Sequence, residues 1–178
     1  MTIPTLNAVG FCAHYSAQGD WAFDYALELS RAHEIPLNVF HFLTDPYDPA
    51  AVPPRHLSRE ALAALMVEKE RELRLYYDER AKDYLDVGFK LCDDNSWLEL
   101  HRCLLDRQFQ ILVLGYLAAD AQFAWKPVEE FADSFVCPVV LVGPDHPRQF
   151  HLNGSAALLS DKLGLPTGAW ERIALVSG

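Results

Sequence analysis

Two apolar runs constrain what this chain can become. Ile111-Leu112-Val113-Leu114 stops at Gly115, and Val139-Val140-Leu141-Val142-Gly143 follows Cys137-Pro138. A polar interval and a helical pattern lie between them. Strand, glycine, loop, helix, strand is a βαβ unit. Strands apolar on both sides belong to a parallel sheet covered on both faces. Ligand sites in such sheets lie beyond the carboxyl ends of the strands, which is where Gly115 falls.

The same alternation fills the rest of the chain. Residues 6–13 read as a first buried strand. Asp20 is the expected N-cap of a helix whose inner face carries Trp21, Tyr25, Leu29 and Ala32, closed by Ile35-Pro36. Leu37 to Leu43 is a second strand, and the proline-rich stretch 44–57 is a loop. Ser58 opens a long helix to about Leu85, with Glu70 and Arg74 at helical spacing on its outer face. Val87 to Cys92 is a third strand. Ser96-x-x-Glu99 reads as a capping box, and Lys126-Pro127 as the opening of the last core helix, with Phe131, Ala132 and Phe135 inside. The fold class is therefore α/β: a doubly wound, mainly parallel sheet of five strands with helices on both faces. Residues 1–144 form that domain. Residues 145–178 are a C-terminal extension with a short helix and a terminal strand at 172–176.

Composition removes several functions. Lys and Arg total 15 against 25 Asp and Glu, a net charge of −10. Such a chain lacks the basic face that non-specific nucleic-acid binding needs, and it is repelled by an anionic membrane surface. No apolar run reaches the ~18 residues of a membrane helix, and the N-terminus lacks the pattern of a signal peptide. The expected location is cytoplasmic. Cys12, Cys92, Cys103 and Cys137 are widely spaced, with no CxxC pair, so buried free thiols are expected. His146 and His151 lack ligand spacing, and no metal site is expected.

The order of elements, the start Ala8-Val9-Gly10-Phe11-Cys12-Ala13, the approach Leu104 to Gly115 and the run Val136-Cys137-Pro138-Val139-Val140-Leu141-Val142 together resemble the universal stress protein A family over about residues 5–144. The resemblance implies strand order 3-2-1-4-5 and a homodimer formed through the 139–142 strand at the sheet edge, unless the tail from 145 covers that edge instead. Family members of one type bind ATP through Gly-x-x-Gly, nine residues, then Gly-Ser or Gly-Thr at the start of the last helix. Glycines let backbone amides approach phosphate oxygens at a helix N-terminus.

This chain departs from that signature. Gly115 fits the first glycine, but Ala118 stands at the second. Trp125-Lys126 occupies the Gly-Ser position after an interval three residues short. The first-strand aspartate that would hold adenine is replaced by Ala13 or His14. Gly115, Ala118, Trp125, Lys126, Ala13 and His14 are thus the family-equivalent positions of a degenerate site. The Trp125 indole is expected to take the phosphates' space, so ATP and AMP are disfavoured and no cofactor is expected. Lys126 either meets a phosphate or reaches solvent.

No Gly-x-Ser-x-Gly elbow, His-Glu-x-x-His helix or P-loop lysine occurs. His14, Ser16 and Asp20 cluster in the first strand–helix loop. Capping is the commoner use of such serines and aspartates, and a catalytic role is disfavoured. His41 reads as a sheet-face histidine, and Tyr15, Trp21, Phe123 and Trp125 as aromatics that line a pocket or fill the core. The expected function is a regulatory or binding module acting through dimerisation and through protein or small-ligand contacts. The alternatives are a nucleotide or phosphometabolite binder using the loop after Gly115, and a hydrolase using the His14 cluster.

Overall fold

The computed structural model describes residues 5–52, 56–92 and 97–164. The elements run β1 (Val9–Cys12), α1 (Ala17–His33), β2 (Leu37–Phe42), α2 (Arg59–Ala81), β3 (Val87–Cys92), α3 (Trp97–Leu105), β4 (Ile111–Gly115), β5 (Gln122–Phe123), β6 (Lys126–Pro127), α4 (Val128–Ser134), β7 (Val139–Val142), β8 (Phe150–Leu152), α5 (Gly154–Leu158) and α6 (Ser160–Leu163). The main sheet has six strands in the order β3-β2-β1-β4-β7-β8. The first five are parallel, with Val9 opposite both Leu37 and Ile111, and Leu112 opposite Val139. The α/β class and the order of the five core strands follow the sequence reading. The sixth strand, β8, was not expected as part of the sheet.

Why the five strands sit centrally is visible in their burial. All residues of β1, β4 and β7 are buried. One face packs Phe11, Val39, Val113 and Val140 under Phe23 and Ala26 of α1 and Leu73 and Tyr77 of α2. The other packs Phe40, Leu112, Leu114 and Leu141 under Leu100 of α3 and Phe131 of α4. Each such side chain contributes about 1.5–3 kcal/mol through removal from water. All four cysteines are unbridged and buried, and all lie on the second face.

Two local readings are corrected. Ser16, not Asp20, caps α1: its Oγ accepts the Gly19 N–H at 2.9 Å. The helix therefore begins at the point where β1 ends its turn, and Asp20 falls within the first turn. There it accepts from the Tyr76 hydroxyl at 2.5 Å and lies 3.8 Å from Arg80. The last core helix starts at Val128 with Pro127 as its N-cap, because Lys126-Pro127 is taken up in a small hairpin with Gln122-Phe123. Ser58 does cap α2, accepting from the Ala61 N–H. Ser96 and the expected strand at 172–176 lie outside the described residues.

The most consequential correction concerns the sheet edge. β8 pairs antiparallel with β7, placing Val140 opposite Leu152 and Val142 opposite Phe150. The 139–142 strand is interior, so the expected dimer through it has no free edge to use. A single buried side chain fastens this arrangement. Asn153 is 2% exposed. Its Oδ1 accepts from Val139 N and Ala156 N, and its Nδ2 donates to Ala132 O and Cys137 O. One amide thus ties α4, β7 and the cap of α5 together, using its full acceptor and donor capacity.

Among the described residues no helix is long and apolar enough to cross a membrane.

Candidate functional site

The carboxyl ends of the strands form two neighbouring mouths. One lies beyond Gly115, the other beyond β1 and β2. The sequence places its candidate site at the first, but that mouth is filled by the protein itself.

Gly115 is needed for packing. A Cβ at this position would sit 3.0 Å from Gln18 C and Gly19 N, at the start of α1. Gly19 is under the same pressure, since its Cβ would lie 1.9 Å from His14 O. The two glycines let α1 seat its first turn directly on β4, and this accounts for Gly115 without any phosphate. The Gly115 carbonyl is also occupied: it accepts the Tyr47 hydroxyl at 2.8 Å. Tyr47 comes from the proline-rich 44–57 stretch. Its ring lies 5.0 Å from Phe123 and 4.7 Å from His14. Phe123 in turn lies 4.5 Å from Phe131. Burial pushes the Tyr47 hydroxyl well above its ordinary pKa, so it stays a neutral donor.

The loop after β4 is stiff. β5 and β6 are joined by the two residues Ala124 and Trp125, with φ of 50 and 71. Two positive φ values in a two-residue hairpin loop define a type I′ turn, which favours Asn and Gly. Ala and Trp in this region cost roughly 1–2 kcal/mol each. The turn is held from outside: the Ala124 N–H donates to Pro46 O at 2.9 Å, and Val128 N–H donates to Ala121 O at 2.9 Å. An amide that a phosphate would need is therefore already engaged. Trp125 projects at 61% exposure and does not fill the crevice. The bulk that closes this mouth is Tyr47 and Phe123, not the indole.

The remaining predicted positions are dispersed. Ala118 is exposed and closes a turn through its carbonyl to Ala121 N. Lys126 lines a separate cleft of ≈ 170 Å³ with His101, Phe131, Ser134, Phe135 and Val136. Ala13 and His14 do come together, at the second mouth. Tyr15 is 47% exposed, Phe123 is buried, and Trp21 packs against the core beside α1.

That second mouth is open. A cleft of ≈ 260 Å³ is lined by Ala13, His14, Tyr15, His41, Phe42, Leu43, Asp45, Pro46 and Lys69. His14 is the best-connected group in it. Its Nδ1 is 2.9 Å from Ser16 Oγ and its Nε2 is 3.4 Å from Asp45 Oδ2. Asp45 Oδ1 also accepts the Tyr47 N–H at 2.9 Å. Burial raises the Asp45 carboxyl, but hydrogen bonds from His14 and from the Tyr47 backbone outweigh it and hold the group below its ordinary value. His41 is lowered, first by burial and then by Lys69, so it stays neutral near pH 7. Its Nδ1 is buried without a hydrogen-bond partner.

The sequence grouping of His14 and Ser16 with Asp20 is thus corrected: the carboxylate beside His14 is Asp45. Asp45 and Tyr47 were missed because both sit in a loop remote in sequence from β1 and β4. The only local signal was Asp45-Pro46-Tyr47 itself, an aspartate placed to accept the N–H two residues on. The second histidine suggestion, His146 with His151, also separates. His151 Nε2 lies 3.3 Å from Asp133 Oδ1, while His146 Nδ1 accepts the Arg148 N–H. Among the described residues no group of three or more His, Cys, Asp or Glu side chains is placed to hold a metal ion.

No family model matches the chain, and no curated protein matches it significantly. Solved structures do. A universal stress protein family member from Burkholderia pseudomallei is 16% identical, with 76% of this chain and 95% of that one covered and a TM-score of 0.49. UspA from Lactobacillus plantarum is also 16% identical, over 77% of this chain and 97% of that one, with a TM-score of 0.49. The universal stress protein from Archaeoglobus fulgidus, solved in complex with dAMP, is 11% identical over 79% and 98%, again with a TM-score of 0.49.

Proposed function

We propose that this protein is a universal-stress-protein-like regulatory or binding module that does not take ATP and works through protein contacts or a small ligand. The observation that carries the reading is the closed mouth beyond Gly115. Tyr47 donates to the Gly115 carbonyl and packs on Phe123, and the Ala124 amide is bonded to Pro46. A polyphosphate needs free backbone amides converging on it. Here the chain supplies its own occupant.

The space left for a ligand is the cleft at the ends of β1 and β2. At ≈ 260 Å³ it falls just below the roughly 300–1,000 Å³ of ordinary small-molecule sites. That size suits a compact metabolite and not a nucleoside triphosphate. Binding of a phosphometabolite through the loop after Gly115 gains no support from Lys126, which lines the other cleft. Self-association through 139–142 would require β8 to leave its place beside β7.

Titration calorimetry with Mg-ATP and with AMP tests the reading. The expected result is no binding heat at millimolar nucleotide and no change in hydrogen exchange over residues 115–128. Micromolar binding with protection of that segment would overturn it.

A further inference from the structure

We infer that Ser16, His14 and Asp45 form a nucleophile relay that hydrolyses small carboxylic esters bound in the cleft at the ends of β1 and β2. The hydrogen positions follow from the donor count. Ser16 Oγ accepts the Gly19 N–H at 2.9 Å, so its own hydrogen is left for His14 Nδ1 at 2.9 Å. Nδ1 is then the acceptor, and Nε2 carries the hydrogen that faces Asp45 Oδ2 at 3.4 Å. Asp45 is itself fixed by the Tyr47 N–H. A hydroxyl bonded to an imidazole, with the imidazole oriented by a carboxylate, is the arrangement that activates a serine.

The surroundings meet the other requirements. Ser16, half-buried at the start of α1, stands beside the cleft behind His14, which forms part of the cleft wall and lies 2.9 Å from the serine oxygen. Ala17 and Gln18 open the helix, where N–H groups lack intrahelical acceptors and the helix dipole favours negative charge. Ala13, Phe42, Leu43 and Pro46 give the cleft an apolar lining for a short acyl chain. His41, with its unpartnered Nδ1, supplies a polar contact on the same wall.

The chemistry balances with water as the second reactant. Ser16 Oγ bonds to the acyl carbon as its proton passes to His14 Nδ1. The carbon–oxygen bond to the alcohol breaks, and the alcohol leaves with that proton. Water then adds to the acyl carbon, giving a proton to His14. The bond to Ser16 breaks, and the serine recovers the proton as the carboxylic acid departs. Asp45 stabilises the imidazolium in both halves.

The test treats the full chain with p-nitrophenyl butyrate and, separately, with an alkyl fluorophosphonate, followed by intact mass and peptide mapping. The expected result is one phosphonyl group, located on Ser16, with turnover lost in proportion to labelling. His14→Ala is expected to slow labelling about 100-fold or more, the usual contribution of a positioned base. Ser16→Ala also removes the helix cap, so Ser16→Asp is the sharper variant: aspartate keeps the cap and removes the nucleophile. It is expected to melt near the parent temperature and to show neither label nor turnover. A label found elsewhere, no label, or turnover retained in Ser16→Asp would overturn the relay. Those outcomes leave the exclusion of ATP untouched, because that reading stands on the other mouth and on calorimetry.

Discussion

The two mouths at the carboxyl edge of the sheet are separated by one aromatic ring and have opposite fates. Beyond Gly115, the Gly115 carbonyl is bonded to Tyr47 and the Ala124 amide to Pro46, so the chain fills its own mouth. Beyond β1 and β2, a cleft stays open, with His14, His41, Asp45 and Lys69 around it. Tyr47 is common to both. Its hydroxyl closes the first through Gly115 O, while its backbone N–H orients Asp45 at the second. A loop that fills one site thus arms the other. A single side chain fills one mouth of the sheet and leaves its neighbour open.

The largest effect expected follows from removing that side chain. Tyr47→Ala deletes a buried ring between His14 and Phe123 and leaves the Gly115 carbonyl without its donor. The cost expected is about 3–5 kcal/mol, in the range of large aromatic truncations. Urea unfolding measures it. Tyr47→Phe keeps the ring and loses only the bond, for about 1–3 kcal/mol. A loss below 1 kcal/mol for the alanine variant would show that Tyr47 does not hold the first mouth closed.

Trp125→Gly comes next and has the opposite sign. Trp125 is exposed and has a φ of 71, a region glycine enters freely. Relief of that conformation is worth roughly 1–2 kcal/mol, less the extra backbone freedom glycine has when unfolded. A net gain of about 0.5 kcal/mol is expected from thermal unfolding, with no appearance of Mg-ATP binding. Acquisition of nucleotide binding by this variant would move the cause of exclusion from Tyr47 back to the indole.

The contrast between these two residues shows what the sequence could and could not reveal. β3 at 87–92 and β4 at 111–115 were legible to the residue, because an apolar run bounded by a breaker is a local signal. The position of Trp125 was legible as a departure, but not its direction. A type I′ turn without Asn or Gly carries no sequence mark, and it turns the indole outward. Tyr47 was unreadable for a different reason. Its partners are 68 residues away at Gly115 and in a separate element at Phe123, and nothing in a proline-rich loop encodes that reach. β8 was missed because three residues among turn-formers are too few to show a period. Its anchor, Asn153, resembled one more turn residue until its four hydrogen bonds were seen.

His41 sharpens the description of the open mouth. Burial, then Lys69, keeps its pKa below the ordinary value, against smaller opposing effects of Glu72 and Asp45. A base whose folded pKa is depressed binds fewer protons than the unfolded chain. Its stabilising contribution is therefore present above the unfolded value of about 6.5 and is lost as pH falls from there through the folded pKa. Lys69→Met is expected to raise the His41 pKa, read by imidazole NMR, so that the loss becomes smaller and is complete at a higher pH. An unchanged His41 titration would separate Lys69 from the cleft.

The smallest effect belongs to Asp45, and it tests whether the carboxylate is poised at His14 or only close to it. The group is 42% exposed, so solvent screening holds its contribution to stability under about 1 kcal/mol. Its folded pKa lies below the unfolded value of about 3.9, so the contribution is complete above that value and is lost as pH falls through the folded pKa. Asp45→Asn keeps an acceptor for the Tyr47 N–H and removes only the charge. Stability near pH 7 is expected to fall slightly, and the acid limb below pH 4 to become shallower. Labelling of Ser16 by the fluorophosphonate is expected to slow in this variant, because the carboxylate that orients and stabilises the His14 imidazole is gone. An unchanged labelling rate would mean that the 3.4 Å approach is incidental, and the open mouth would then be a cleft with a histidine in its wall and no relay behind it.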